Sequence, residues 1–291
     1  MSIDLVNLAN VIVSGVLTGL VYGLMALGLS VIFGVARVVN FAHGEIMTVA
    51  MYLAVVAFGF FDLDPFLAAV PIAAVFFAFG YIFHATVLHR FITRPEHSQF
   101  MLLLAVAVIT TNALLIIFGP DARNVHLDFL LESIEVGPLL VDRGKLYAAL
   151  VACGASAALF LFFRFSKTGT AIRACADNWL GAKVVALDLK RLYSTGCGLG
   201  CCSVAIAGCM MILLVDLTPN AGPAYTLLAF VIVIVGGLGS MSGALAGGVL
   251  IGVSEAMAGL FIAPSAKGMF SFALLILVLL LRPRGLLGSK S

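Results

Sequence analysis

From Leu8 to Leu281 the chain is a succession of apolar runs, each near the length of a bilayer-crossing helix, with little polar chain between them. Such a helix needs about 20 mainly apolar residues. The runs are Leu8–Phe33, Ile46–Phe61, Phe66–Leu88, Phe100–Phe118, Leu146–Phe163, Ser194–Val215, Ala224–Val235, Ala244–Ile262 and Gly268–Leu281. They predict eight or nine crossings, depending on how the glycine-interrupted segments divide. Gly119-Pro120 and Thr218-Pro219 are helix-ending punctuation. A soluble core is excluded by composition: 63% of the residues are hydrophobic and 10% charged, against about 45–50% and 25% in soluble domains. The expected fold is an all-α integral membrane protein, one transmembrane domain over residues 1–291, with some helices broken at glycine-rich segments. A net charge of +2 offers nothing to a nucleic acid.

Lys and Arg give the expected orientation, because cytoplasmic loops are enriched in them. Arg164, Lys167, Arg173, Lys183, Lys190 and Arg191 fall in one stretch, Arg90 and Arg94 in another, and Arg282, Arg284 and Lys290 in the C-terminal tail. These three are read as cytoplasmic, so the C-terminus is cytoplasmic too. The loop at about 120–145 carries Asp121, Asp128, Glu132, Glu135 and Asp142 and is read as outward-facing. The side of the N-terminus stays open. Its first ten residues hold Asp4 and no Lys or Arg, so the basic start of a signal peptide is missing and the first run reads as a retained span. Cys153, Cys175, Cys197, Cys201, Cys202 and Cys209 form no CxxC and have no paired histidines, so they read as packing residues and no metal site is expected.

The exceptions to the hydrophobicity are more specific. Gly34 to Glu45 places Arg37, Asn40, His43 and Glu45 between two closely spaced runs. Polar backbone at membrane depth is tolerated only against protein or a wet cavity, and ionisable groups there are functional candidates. The competing reading is an interfacial loop. Gly236-Gly-Leu-Gly-Ser240 continues into Gly243, Gly247, Gly248 and Gly252, whose GxxxG spacings favour close helix packing. Broken helices of small residues also build transporter sites. Glu255 reads as a bond to a neighbouring helix or as a proton-relay group.

Gly169 to Lys190 is amphipathic. Ile172, Cys175/Ala176 and Trp179/Leu180 recur at helical spacing, Arg173 and Asp177 lie four apart on another face, and Gly181 is placed to end the helix. Such a helix either lies among lipid headgroups or docks into a groove on a cytoplasmic partner. No phosphate-cradling G-x-x-x-x-G-K-[ST] occurs, nor G-x-S-x-G or H-E-x-x-H. No catalytic residues are assigned. Uphill transport would therefore draw on an ion gradient, as in a secondary carrier, or on ATP hydrolysed by a partner, and the docking helix favours the partner.

Four segments carry a family resemblance. They are Val39-Asn-Phe-Ala-His-Gly-Glu45, Arg173-Ala-Cys-Ala-Asp-Asn178 through Leu187-Asp-Leu-Lys-Arg191, Val235-Gly-Gly-Leu-Gly-Ser240 with Gly243-Ala-Leu-Ala-Gly-Gly248, and the last span with Arg282-Pro-Arg-Gly-Leu-Leu-Gly288. In order and spacing they resemble the LivH-type permease subunit of branched-chain amino acid ABC importers. Ala186 stands where that family often has glycine. The resemblance implies the ABC importer permease fold in a bacterial inner membrane, a second LivM-like permease, two cytoplasmic ATPases that bind the ATP, and a periplasmic substrate-binding protein. It implies no cofactor on this chain. It makes 166–192 the coupling segment, with Arg173, Asp177, Trp179 and Lys183 toward the ATPases. It makes Asn40, His43, Glu45, Gly236, Gly237, Gly239 and Ser240 candidates for pathway lining or gating. The solute would be a branched-chain or other hydrophobic neutral amino acid, with urea, short amides or aromatic acids as alternatives carried by relatives.

Overall fold

The computed structural model describes residues 5–91, 94–127, 129, 132–262 and 267–288. Helices α1 (Leu5–Ala36), α2 (His43–Phe61), α3 (Pro65–Thr86) and α4 (Glu96–Phe118) precede a small outer element. That element is an antiparallel hairpin of β1 (Ser133–Val136) and β2 (Leu139–Asp142), turning at Gly137. Then follow α5 (Arg143–Phe165), the short α6 (Lys167–Asp177) and α7 (Trp179–Val184), α8 (Leu189–Met211), α9 (Gly222–Gly236), α10 (Met241–Phe261) and α11 (Lys267–Leu281). Among the described residues eight helices are long and apolar enough to cross a bilayer, and Gly268–Leu281 is a shorter apolar one.

Glycine sets how closely these helices approach. Lipid gives apolar side chains little reason to leave it, so association rests on close van der Waals packing. Helix α1 is the axis of the bundle and is buried without interruption from Gly23 to Ile32. Its Gly15, Gly19 and Gly23 meet Gly248 and Gly252 of α10 backbone to backbone; a Cβ on Gly248 would run into the Gly23 backbone, and one on Gly19 would lie 2.7 Å from Val249 Cα. A Cβ on Gly28 would lie 2.6 Å from the Gly200 carbonyl of α8. Gly80 of α3 does the same against Cys197 and Cys201, so those buried cysteines act as small packing groups. Glu255 accepts a hydrogen bond from Ser271 Oγ at 2.8 Å, which ties α10 to α11 and favours its structural reading.

The three segments rich in Lys and Arg gather at one end. The rings of His84 and His89 lie 6.1 Å apart near the start of α8, and α6 packs against the ends of α1 and α5. The tail folds back: Leu286 and Leu287 donate backbone N–H groups to the Val235 and Gly236 carbonyls at 2.8 and 2.9 Å, covering acceptors left open where α9 ends. Gly237 (φ 109°) and Gly285 (φ 77°) allow that contact. The N-terminal end of α1 lies at the other end, beside the hairpin. Leu140 N donates to Asn10 at 3.0 Å and Lys145 Nζ to Ser14 at 2.7 Å. The side of the N-terminus, open in the sequence, is thus that of the 120–145 loop.

Three local caps shape the segment between α5 and α8. Ser166 Oγ accepts from Gly169 N, Asn178 from Gly181 N and Asp188 from Arg191 N, at 2.8, 2.9 and 3.1 Å. Gly181 therefore does not end the amphipathic helix. The break falls at Asn178, whose side chain starts α7, and Gly181 sits inside that helix. Ala186 has φ 58°, a left-handed conformation that disfavours a Cβ by about 1–2 kcal/mol.

Two outcomes follow for stability. Gly248→Val should destabilise the α1–α10 contact by about 1–3 kcal/mol. Gly154→Ala, where an added Cβ meets nothing within 4 Å, should be neutral or slightly stabilising. Thermal denaturation of the detergent-solubilised protein, followed by loss of the monodisperse chromatographic peak, distinguishes them. In the same assay Ala186→Gly should raise the melting temperature, since the strain it relieves outweighs glycine's extra entropy in the unfolded chain.

Candidate functional site

After Ala36 the chain turns back into the bundle. Arg37 takes a left-handed conformation (φ 51°) and stays exposed, while Val38, Asn40 and Ala42 are buried. Phe41 anchors the segment, its ring 4.6 Å from Phe100 of α4 and 5.0 Å from Phe230 of α9. Helix α2 then starts at His43, whose Nε2 donates to the Met25 carbonyl at 2.9 Å. Met25 lies eleven residues before the end of α1, about 16 Å along the axis at about 1.5 Å per residue. That is half of a hydrocarbon layer roughly 30 Å thick. Gly28 of α1 lies beside the His43 ring, although its own tight contact is with the Gly200 carbonyl.

Helix α9 starts at a matching depth. A Cβ on Gly44 would run into the Gly222 carbonyl and Thr226 N. Thr226 is ten residues before the inner end of α9, about 15 Å by the same rise. Two helix N-termini thus meet in mid-membrane, where unpaired N–H groups are expensive. Asn40 Oδ1 accepts from Ala42 N at 3.1 Å and Thr226 Oγ1 accepts from Gly44 N at 2.8 Å. Pro223 removes one donor from the first turn of α9. Thr226 Oγ1 in turn donates to Glu45 Oε2 at 3.0 Å, and Thr48 Oγ1 donates to the Gly44 carbonyl at 2.9 Å. The first glycine-rich break is therefore a buried polar junction at mid-depth; its exposed part is confined to Arg37.

The junction opens sideways into a cavity of about 360 Å³. Glu45 and Thr226 form its polar floor, Leu104, Val108 and Leu227 give it apolar walls, and Thr111 and Asn112 of α4 close its polar side. Asn112 is exposed, with Val108, Ile109, Ile116 and Ile117 exposed around it. A polar amide on the outside of a membrane helix marks a face covered by protein or water.

Gly236 to Ser240 lies elsewhere. These residues form the inner turn between α9 and α10, with Ser240 Oγ capping α10 by accepting from Gly243 N at 3.1 Å. A groove of about 530 Å³ beside them brings Gly34, Gly239 and Ser242 together with Arg173 and Asp177 of α6. The structure thus groups Asn40, His43 and Glu45 in one place and Gly236, Gly237, Gly239 and Ser240 with the amphipathic segment in another. Arg173 and Asp177 are exposed, and the ion pairs among the described residues are Arg143–Glu132 and Arg191–Asp188, so these two do not pair with each other. Lys183 is exposed, and Leu180, Val184 and Val185 stand 59%, 85% and 68% exposed around it. Trp179 opens α7; its side chain lies outside the described residues. Thr226, Asn112 and Gly28 were not singled out in the sequence. Thr226 is a single threonine within an apolar run and meets Gly44 across 182 positions of chain, while Asn112 closes the short polar patch Thr110-Thr111-Asn112.

The family described as branched-chain amino acid transport system / permease component matches residues 11–279. The high-affinity branched-chain amino acid transport system permease protein LivH of Salmonella typhimurium is 29% identical over 94% of both chains. The corresponding protein BraD of Pseudomonas aeruginosa is 27% identical over 95% of this chain and 94% of its own. The probable branched-chain amino acid transport permease protein LivH of Methanocaldococcus jannaschii is 27% identical over 91% and 88%. Among solved structures, PsaBC from Streptococcus pneumoniae in complex with Fab shares the fold, with a TM-score of 0.51, 12% identity and coverage of 93% of this chain and 91% of that one. With its broken helices, its mid-depth junction and its match over nearly the whole length, the chain belongs to the branched-chain amino acid transport system permease family.

Proposed function

We propose that this multi-pass permease forms one half of the membrane pathway of an ABC importer. The observation that carries the reading is the cavity at bilayer mid-depth, floored by Glu45 and Thr226 and open along the exposed face of α4. A second, LivM-like permease covers that face and turns a lateral cavity into a path between subunits. The relatives' names specify branched-chain amino acids, which supports a branched-chain or other hydrophobic neutral amino acid over urea, amides or aromatic acids. A periplasmic binding protein delivers it beside the 120–145 loop, and the C-terminus faces the cytoplasm of a bacterial inner membrane. No cofactor belongs to this chain.

ATP is bound and hydrolysed by two cytoplasmic subunits, one taking hold of residues 166–192 and the other of the matching segment of the second permease. The exposed apolar side chains of α7, beside Lys183, fit a groove on such a subunit. Arg173 and Asp177 line the same groove as Gly239 and Ser242 at the α9–α10 turn, so a subunit that fills the groove would touch both. Asn40 and His43 hold the start of α2 in place. An ion-coupled carrier would need no such surface.

Affinity purification of the tagged chain from cells expressing the whole operon should bring down a second permease and two ATPases. Leu180→Asp and Val184→Asp should each lower recovery of the ATPases relative to the second permease, because a charge is placed in a contact that excludes water. Retention of the ATPases by both variants, or purification of the chain alone with gradient-driven transport in liposomes, would overturn this reading.

A further inference from the structure

Glu45 is a carboxylate half-way across the bilayer that has no cationic partner. Its Oε2 takes a hydrogen bond from Thr226, and neither ion pair among the described residues includes it. A carboxyl group at that depth is expensive to ionise unless a cation joins it, and it is retained where it serves a function. It sits in the first turn of α2, where the helix N-terminus favours negative charge. The cavity above it is apolar on the sides, and its remaining polar groups, Thr226, Thr111 and Asn112, are neutral. A zwitterion with a short apolar body fits that chemistry if its ammonium takes the floor, its hydrocarbon the walls and its carboxylate the neutral polar side formed by Thr111 and Asn112. An anion would face Glu45 with no basic group among the lining residues.

We propose that Glu45, held in position by Thr226, binds the α-ammonium group of the passing amino acid, while its α-carboxylate turns away from Glu45 toward the Thr111 hydroxyl and Asn112 amide, and Leu104, Val108 and Leu227 receive its apolar side chain. The proposal rests on the cavity being part of the pathway. It makes this site a second selectivity filter, one that requires an ammonium and rejects organic anions whatever the binding protein delivers.

The test uses the assembled importer in proteoliposomes, with Asn112→Cys as reporter and Cys153→Ser in the background. The reporter is treated with a trimethylammonium methanethiosulfonate and, separately, a sulfonate one. The cationic reagent should react about tenfold faster, as field focusing in a low-dielectric cleft provides. Leucine translocation under ATP should slow that reaction. Glu45→Gln should abolish the charge preference and lower leucine uptake about tenfold or more, the effect of losing a charged hydrogen bond. Glu45→Asp should keep the preference and restore much of the uptake, which separates loss of charge from failure to fold. If neither reagent reaches the reporter, the face is lipid-covered and the pathway reading fails. If both react at equal rates, or Glu45→Gln leaves preference and uptake unchanged, the pathway stands and the ammonium site is wrong.

Discussion

Two helices that begin inside hydrocarbon must find partners there for their first N–H groups, and most of the arrangement around α2 and α9 answers that need. Outside the cavity little water reaches this depth, so the protein supplies partners to these donors. Gly44 N finds Thr226, Ala42 N finds Asn40, and Pro223 leaves one donor fewer to satisfy. The solution forces Gly44 and Gly222 together, since the Thr226 hydroxyl reaches the first turn of α2 only when the two backbones touch. The same contact places Glu45 beside Thr226. Local satisfaction of the backbone and the polar floor of the cavity are one arrangement.

The glycines elsewhere serve the same end at longer range. Gly28 against Gly200 lets α8 support α1 from behind, along the stretch of α1 to which His43 is bonded. Gly15, Gly19 and Gly23 against Gly248 and Gly252 fix α10 on α1. Without those approaches α1 would stand further from its neighbours, and the returning segment after Arg37 would have no wall to lean on.

The spans were legible because lipid imposes a length and an apolar composition on any helix that crosses it, and both survive in a single sequence. The polar residues that violate it, Asn40, His43 and Glu45, were legible for the same reason. Depth was not. Nothing in the run after Glu45 says that α2 starts in mid-membrane; that fact lives in the His43–Met25 bond, a contact across 18 positions. Thr226 was hidden because one hydroxyl barely changes the hydropathy of a span, whereas Thr110, Thr111 and Asn112 leave a short polar patch that the apolar residues on both sides outweigh. The end of the amphipathic helix was misplaced by three residues because Gly181 is a common stop signal, whereas Asn178 acts as a cap only once the backbone around it is known. The glycine-rich turn at Gly236 and the Arg282–Gly288 tail read as separate motifs, yet they are bonded to each other through Val235 and Gly236.

That last pairing gives α9 its place in the machine. Its outer end carries Thr226, bonded to Glu45, and its inner end is the turn that adjoins α6 and is gripped by the tail. A helix of 15 residues behaves as a rod over this length. Any displacement of the inner turn must tilt or slide that rod, and the 3.0 Å bond between Thr226 and Glu45 is short enough to be lost within an ångström of sliding. The two glycine-rich breaks therefore need not meet to act together. On the proposed function, one lies beside the groove where the amphipathic segment would pass on force, the other where a carboxylate would be held or released, and α9 spans the distance between them.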